Sequence, residues 1–119
     1  MAMVRMRAPA PFNEILVNSE LVFCVHALPG AATPSSKLLT DGNRAIEITE
    51  PVPVVIAKLG SSFRRLPSAS HTEIFVNRGL ILNVVPNHDV PGTCFVHGLA
   101  QASRLPVAAT LSQVEQALA

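Results

Sequence analysis

The stretch HTEIFVNRGLILNVV, residues 71–85, carries the clearest structural signal in this chain. Its first half alternates in character, so that Thr72, Ile74 and Val76 fall on one side of an extended backbone and the residues between them fall on the other. The tripeptide NRG at 77–79 is a turn signal, and the remainder, LILNVV, is mostly apolar. The stretch therefore predicts two short strands joined by a three-residue hairpin loop.

Short apolar runs bounded by turn residues recur along the rest of the chain. The run at 52–59, VPVVIAKL, is nearly continuous, and Pro53 places it at the start of a strand or at a sheet edge. The sequence DGN at 41–43 predicts a hairpin turn. Residues 60–70 read as a polar connection. Further strands are predicted at 14–17, 21–28, 37–40, 44–49 and 94–99.

The last ten residues predict a helix. Leu111, Val114 and Leu118 recur at helical spacing, and Thr110 with Gln113 forms a capping-box pattern. Seven or eight strands with turns every eight to twelve residues, and no room for crossover helices, indicate an all-β fold. We expect a small sandwich or barrel of short antiparallel strands. We find no internal repeat in the sequence.

The first twelve residues, MAMVRMRAPAPF, predict an extended N-terminal arm, with residues 13–119 forming a single β-rich domain. Pro9 and Pro11 favour extended backbone, and the apolar content suits an arm that lies along a neighbouring molecule. A doublet, Arg64 and Arg65, offers secondary contacts. The predicted partner-binding residues are Met3, Val4, Arg5, Met6, Arg7, Phe12, Arg64 and Arg65.

Composition favours an assembly subunit. Hydrophobic residues make up 49% of the chain and charged residues 14%, which suggests that much of the surface is covered by other subunits. The net charge is +1, without a basic run, so direct nucleic-acid binding is not expected. No apolar stretch is long enough to predict a membrane helix. Residues 21–32 faintly resemble a signal-peptide core, but the polar residues at 18–20 interrupt the apolar run before them, so no cleaved signal is expected.

Metal binding or catalysis is the alternative class of function. Cys24 and His26 lie on one face of a strand, and Cys94 and His97 are separated by two residues, but this spacing is a weak zinc signature. The more ordinary interpretation is that both cysteines are buried in the core, and whether they pair is left open. We therefore expect no enzyme, no catalytic residue, no metal and no cofactor.

The C-terminal third resembles the ends of small capsid-decoration (cement) proteins of tailed bacteriophages. The resemblance lies in FVHGLA at 95–100, SRLP at 103–106 and the capped helix at 110–118. It implies a β-rich homo-oligomer, for example a trimer, that binds the major capsid protein or another virion protein and clamps coat subunits through its arm. The chain would then belong to the virion, assembled in the host cytoplasm. A tail, head-completion or coat subunit, and a small β-barrel metal-binding module or enzyme, are the alternatives.

Overall fold

The computed structural model describes residues 3–30, 33–40, 44–67, 74–100 and 103–119. These residues contain ten strands, two α-helices and two 3-10 turns, at Ser19–Leu21 and Arg78–Leu80. The strands are β1 (Met3–Arg7), β2 (Glu14–Asn18), β3 (Val22–Ala27), β4 (Ser36–Thr40), β5 (Ala45–Ile48), β6 (Phe63–Leu66), β7 (Ile74–Asn77), β8 (Ile81–Pro86), β9 (Cys94–Gly98) and β10 (Arg104–Val107), and the helices are α1 (Val52–Leu59) and α2 (Leu111–Leu118).

All strand pairs in these residues are antiparallel, in three sheets. The largest has the order β5-β4-β3-β7-β6, a second has the order β10-β9-β8, and β1 pairs with β2 alone. The prediction of an all-β antiparallel fold with a short C-terminal helix is thereby confirmed.

The chain consists of two copies of one structural unit, a repeat that our sequence analysis missed. Unit 1 runs from β1 to α1 and unit 2 from β6 to α2, and each has the order strand, strand, 3-10 turn, three strands, helix. An asparagine precedes each 3-10 turn. The Oδ1 atom of Asn18 accepts a hydrogen bond from the N–H of Glu20 at 3.1 Å, and that of Asn77 accepts one from Gly79 at 3.0 Å.

Irregularities of the backbone are duplicated as well. The register of β3 against β4 shifts between Val22 and Cys24, and that of β8 against β9 shifts between Ile81 and Asn83, at equivalent positions in the two units. Such an irregularity is a specific local feature of a strand pair, so its recurrence at equivalent positions indicates that the two halves share one backbone plan. The sequence trace of the duplication is short, EILVNSEL at 14–21 and EIFVNRGL at 73–80.

One pair of positions differs between the two units in a coordinated way. In unit 1 the N–H of Arg7 donates to the carboxylate of Glu50 at 2.8 Å. In unit 2 the equivalent of Arg7 is Pro67, which has no N–H, and the equivalent of Glu50 is the buried Ala109. The acceptor is missing where the donor is missing, as the cost of burying an unpaired carboxylate requires.

Each unit has its own hydrophobic core, closed by its own helix. Val55 of α1 is fully buried in the core of unit 1, among Met6, Val17, Val22, Val25, Leu38, Ile48 and Leu59. Val114 of α2 is 1% exposed in the core of unit 2, among Leu66, Ile74, Val76, Cys94, Val96, Val107 and Ala109.

Residues 52–59 form helix α1, and the strand predicted there is wrong. The apolar residues Val52, Val55, Ile56 and Leu59 recur at helical spacing, and they place one stripe against the core. Pro53 lies in the first turn, where the missing N–H breaks no hydrogen bond. The β-branched composition suggested a strand, but packing of the stripe overrides that preference.

The predicted hairpin around residues 77–79 is also wrong. Asn77 ends β7 and caps the 3-10 turn Arg78–Leu80, and β7 and β8 lie in different sheets. The connection predicted at 60–70 contains strand β6, and residues 103–106 contain most of β10. The DGN turn at 41–43, and the part of the predicted strand at 71–73, lie outside the described residues.

The N-terminal residues are extended, as predicted, but they belong to the folded unit and do not form a separate arm. Strand β1 pairs with β2 over its whole length, and Met6 is 1% exposed in the core of unit 1. The boundary predicted between residues 12 and 13 falls in the connection of this β1–β2 hairpin. Val4 and Met6 alternate with arginines along β1. This alternation places the apolar side chains on the face of the strand that packs on the core.

Candidate protein-binding surfaces

The two units meet where β7 of unit 2 pairs with β3 of unit 1, and we call this contact the internal junction. The register places Val76 opposite Cys24 and Phe75 opposite Val25. The Nδ2 atom of Asn77, a residue only 5% exposed, donates to the carbonyl of Val22 at 3.0 Å. The side chain of Asn77 therefore caps the 3-10 turn of unit 2 and also hydrogen-bonds this turn to unit 1.

Aromatic side chains cross the internal junction in both directions. Phe23 of unit 1 is 2% exposed and packs in the core of unit 2. Phe63 of unit 2 is 7% exposed and packs in the core of unit 1, where the half-buried Phe75 joins it. Large apolar side chains supply most of the free energy of such a contact.

As a result, the β6–β7 hairpin is covered on both faces. Ile74 and Val76 point into the core of unit 2, and Phe63 and Phe75 point into that of unit 1. The β1–β2 hairpin is the equivalent element of unit 1, and only its inner face is covered, by contacts of Val4, Met6, Ile15 and Val17 with the core.

The outer face of the β1–β2 hairpin carries exposed apolar residues. Met3 pairs with Asn18 as Phe63 pairs with Asn77, so Met3 is the counterpart of Phe63, and it is 47% exposed. Leu16, the counterpart of Phe75, is 59% exposed. We call this surface the hairpin face, made of Met3, Leu16 and Asn18.

Strand β8 carries the complementary exposed surface. It is the counterpart of β3, and Leu82, the counterpart of Phe23, is 62% exposed. Asn83, next to Leu82, is also exposed, whereas Cys24, the residue equivalent to Asn83 in unit 1, is fully buried. We call Leu82, Asn83 and Val84 the β8 edge. A groove of about 300 Å³ beside it is lined by Val84 and by residues of α2, including the exposed Leu111.

The structure separates the predicted partner-binding residues into different environments. Met6 is buried and Val4 packs on the core, so neither presents a free side chain to a partner. Met3 and Arg5 lie on the outer face of β1, where Arg5 is 3.6 Å from the carboxylate of Glu14. Arg7 is exposed on the same strand.

The remaining predicted contacts lie apart from that face. Phe12 is 73% exposed in the connection between β1 and β2. Arg64 and Arg65 are on β6, at the edge of a different sheet, and the guanidinium of Arg64 donates to the carbonyls of Ser61 and Phe63.

Among the described residues, the cysteines and histidines of the alternative hypothesis are not brought together as a metal-binding group. Cys24 and Cys94 are both free thiols, buried in the core of unit 2. Burial raises the pKa of the Cys24 thiol to about 12, which keeps it protonated. His26 uses Nδ1 in a 2.9 Å hydrogen bond to the carbonyl of Ala27, and Nε2 of His97 is buried without a hydrogen-bond partner among the described residues. In the described part of the chain, no three His, Cys, Asp or Glu residues are placed to hold a metal ion.

Comparisons with models of protein families, with characterised proteins and with solved structures gave no match. Among the described residues, no helix has the length and apolar character needed to cross a membrane.

Sequence reasoning missed the apolar residues that define both surfaces. Leu16 and Leu82 stood inside predicted strands and were assigned no role. Aligning EILVNSEL with EIFVNRGL would have matched Leu16 to Phe75, and extending that alignment would have matched Leu82 to Phe23. The contrast in exposure within each pair is a property of the fold.

Proposed function

We propose that this chain is a structural subunit of a protein assembly, which acts by binding other protein molecules through the hairpin face and the β8 edge. The observation that supports this function is the difference between two equivalent hairpins. The outer face of the β6–β7 hairpin is covered by another unit, and the outer face of the β1–β2 hairpin exposes Met3 and Leu16. Exposed apolar groups beside an unpaired strand edge are typical of interaction sites.

The assembly that we propose is a virion, with the chain as a capsid decoration (cement) subunit. The support for this choice is the resemblance of the C-terminal third to phage cement proteins. The residues that carry it, 95–100, 103–106 and 110–118, correspond to β9, β10 and α2 with their connections. The partner is then the major capsid protein, and a tail, head-completion or coat subunit is the other structural role.

The way in which such a subunit binds differs from the arm-clamp mechanism. Because Met6 and Val4 stabilise the chain's own core, the N-terminal contribution to binding comes from the outer side of β1, namely Met3, Arg5 and Arg7. A rigid strand loses less conformational entropy on binding than a free arm does, which favours affinity for a given contact area.

Site-specific photo-crosslinking in the host cell in which the protein is made tests the proposal. A photoreactive residue at Leu16 lies on the exposed side of β2, and the matched control at Ile15 lies on the core side. Crosslinks from position 16, but not 15, to another protein molecule of the assembly are expected, either a coat or other virion protein or a second copy of this chain. Crosslinks to an enzyme or a nucleic acid, or none to any other protein molecule, would overturn the proposed function.

A further inference from the structure

We propose that a second copy of this chain docks its hairpin face on the β8 edge and reproduces the internal junction between molecules. This inference rests on the proposed function, and it identifies one partner of the two surfaces as another copy of the same chain. The partner is identified by the chain's own duplication. β7 on β3 is a contact already formed within the chain, and β2 and β8 are the counterparts of these two strands.

Strand pairing at the new contact follows from the internal register. Val76 opposite Cys24 becomes Val17 opposite Asn83, and Phe75 opposite Val25 becomes Leu16 opposite Val84. The sheet β10-β9-β8 of one copy and the strands β2-β1 of the other then form five strands in the order 10-9-8-2-1. This order is equivalent to β5-β4-β3-β7-β6, which the chain already contains. An unpaired strand edge gains main-chain hydrogen bonds in this way.

Side-chain contacts transfer in the same manner. Leu82 of one copy takes the place of Phe23 against the core of the incoming unit, and Met3 of that unit takes the place of Phe63. Leu82 is 62% exposed and Met3 47%, against 2% for Phe23 and 7% for Phe63, so both have apolar surface left to bury.

A hydrogen bond is expected to transfer as well. The Nδ2 atom of Asn77 donates to the carbonyl of Val22, and the equivalent bond joins Asn18 of the incoming copy to the carbonyl of Ile81. Asn18 is half-buried and Asn77 almost fully buried, which is the difference expected before and after docking.

The geometry of the contact is head-to-tail, because the hairpin face and the β8 edge are different surfaces. Such a contact leaves one free surface of each kind on every pair, so copies add until a ring closes or a filament grows. The consequence is a homo-oligomer of the 12.6 kDa chain. The number of copies is set by the rotation that relates one copy to the next.

The first test is light scattering of the purified chain during size-exclusion chromatography over a range of concentrations. An oligomer is expected, and Leu82→Glu and Leu16→Glu should each weaken association by about a hundredfold or more, because each buries a carboxylate in the apolar contact. The matched control is Val54→Glu, which alters a 40%-exposed apolar residue of α1 outside both surfaces and should leave the oligomer intact. A wild-type monomer at every concentration, or equal weakening by all three variants, would refute the proposal.

The second test uses disulfide trapping between two single variants. Leu16→Cys mixed with Val84→Cys should form an intermolecular disulfide under mild oxidation, and Leu16→Cys mixed with Val90→Cys, in the loop after β8, should not. This test decides the question even if a glutamate variant fails to fold. A disulfide formed only inside the Leu16→Cys, Val84→Cys double variant, which remains a monomer, would show that the chain closes on itself. If the chain does not self-associate, photo-crosslinking can still detect a different protein bound at position 16. Failure of this inference can therefore be distinguished from failure of the proposed function.

Discussion

Phe23 and Phe63 are exchanged between the two halves of this protein, each lying in the core of the unit to which it does not belong. The exchange makes the internal junction part of both cores. Neither unit can therefore unfold without exposing apolar surface of the other, and the two units should unfold as one cooperative system.

Replacing either phenylalanine by alanine should destabilise the whole chain. We expect Phe23→Ala and Phe63→Ala each to reduce the free energy of unfolding by about 3–5 kcal/mol, the range for large cavities in a core. Phe12→Ala is the matched control, since Phe12 is 73% exposed and should contribute little. Urea denaturation followed by circular dichroism measures the difference. A variant that unfolds in two separate transitions would contradict the shared core.

The carboxylate of Glu50 should make the stability of the whole chain dependent on pH in the acid range. It accepts hydrogen bonds from the Nζ atom of Lys58 at 2.7 Å and from the N–H of Arg7 at 2.8 Å. Burial raises the pKa of Glu50, but the hydrogen bonds from Lys58 and Arg7 and the positive charge of Lys58 outweigh it, so the net pKa is lowered.

Because the folded chain holds Glu50 with a lowered pKa, its stabilising effect is present above the unfolded pKa of about 4.5 and is lost as the pH falls through the folded value. Glu50→Gln should lose about 1–2 kcal/mol of stability at pH 7 and depend less on pH below 5. Glu115→Gln, on the exposed side of α2, is the control and should change neither. Thermal unfolding across pH 3 to 7 distinguishes them, and equal acid sensitivity of Glu50→Gln and wild type would contradict this assignment.

The capping box of α2 should be needed for the packing of unit 2. The Oγ1 atom of Thr110 accepts from the N–H of Gln113 at 3.3 Å, and the Oε1 atom of Gln113 accepts from the N–H of Thr110 at 2.8 Å. Thr110→Ala should cost about 1 kcal/mol, the usual effect of losing an N-cap. Ser112→Ala, at an exposed position two residues further along the chain, is the control and should cost less, as measured by chemical denaturation. An unchanged midpoint for Thr110→Ala would show that α2 is held by packing alone.

The thiol of Cys24 should resist alkylation in the folded chain. Its pKa of about 12 leaves very little thiolate at pH 8, and the residue is fully buried. Labelling by iodoacetamide should follow global unfolding and accelerate sharply in urea. A cysteine introduced at the exposed position 112 provides the rate for a free thiol. Fast labelling of Cys24 without denaturant would contradict the burial of this side chain.

Much of the local structure was predictable from the residues. The alternation at 74–77, the apolar runs at 22–27 and 94–98, and the capped helix Leu111–Leu118 all lie where the patterns predict them. These signals are local, because alternation, turn residues and caps act through neighbours a few positions away. The apolar composition also agrees with the exposed large apolar side chains of the structure, although it did not indicate which residues these are.

The partners of the strands could not be predicted in the same way. Alternation shows which face of a strand is buried, but main-chain hydrogen bonding is nearly the same for every strand, so no residue marks β7 as the neighbour of β3 and not of β8. The helix at residues 52–59 could not be predicted from local sequence either. Its β-branched residues favour a strand locally, and the core available to Val55 and Leu59 makes it a helix.

Turns, caps and the alternating faces of the strands were thus encoded locally, and the residues alone revealed them. Which half covers Phe23 and Phe63, and which surfaces around Leu82 and Met3 stay open, depended on the assembled fold. The physical reason is that burial is a property of the whole arrangement. The same kind of side chain, at equivalent positions of two similar units, is covered in one and exposed in the other, because the strands that the structure describes form one such junction within the chain.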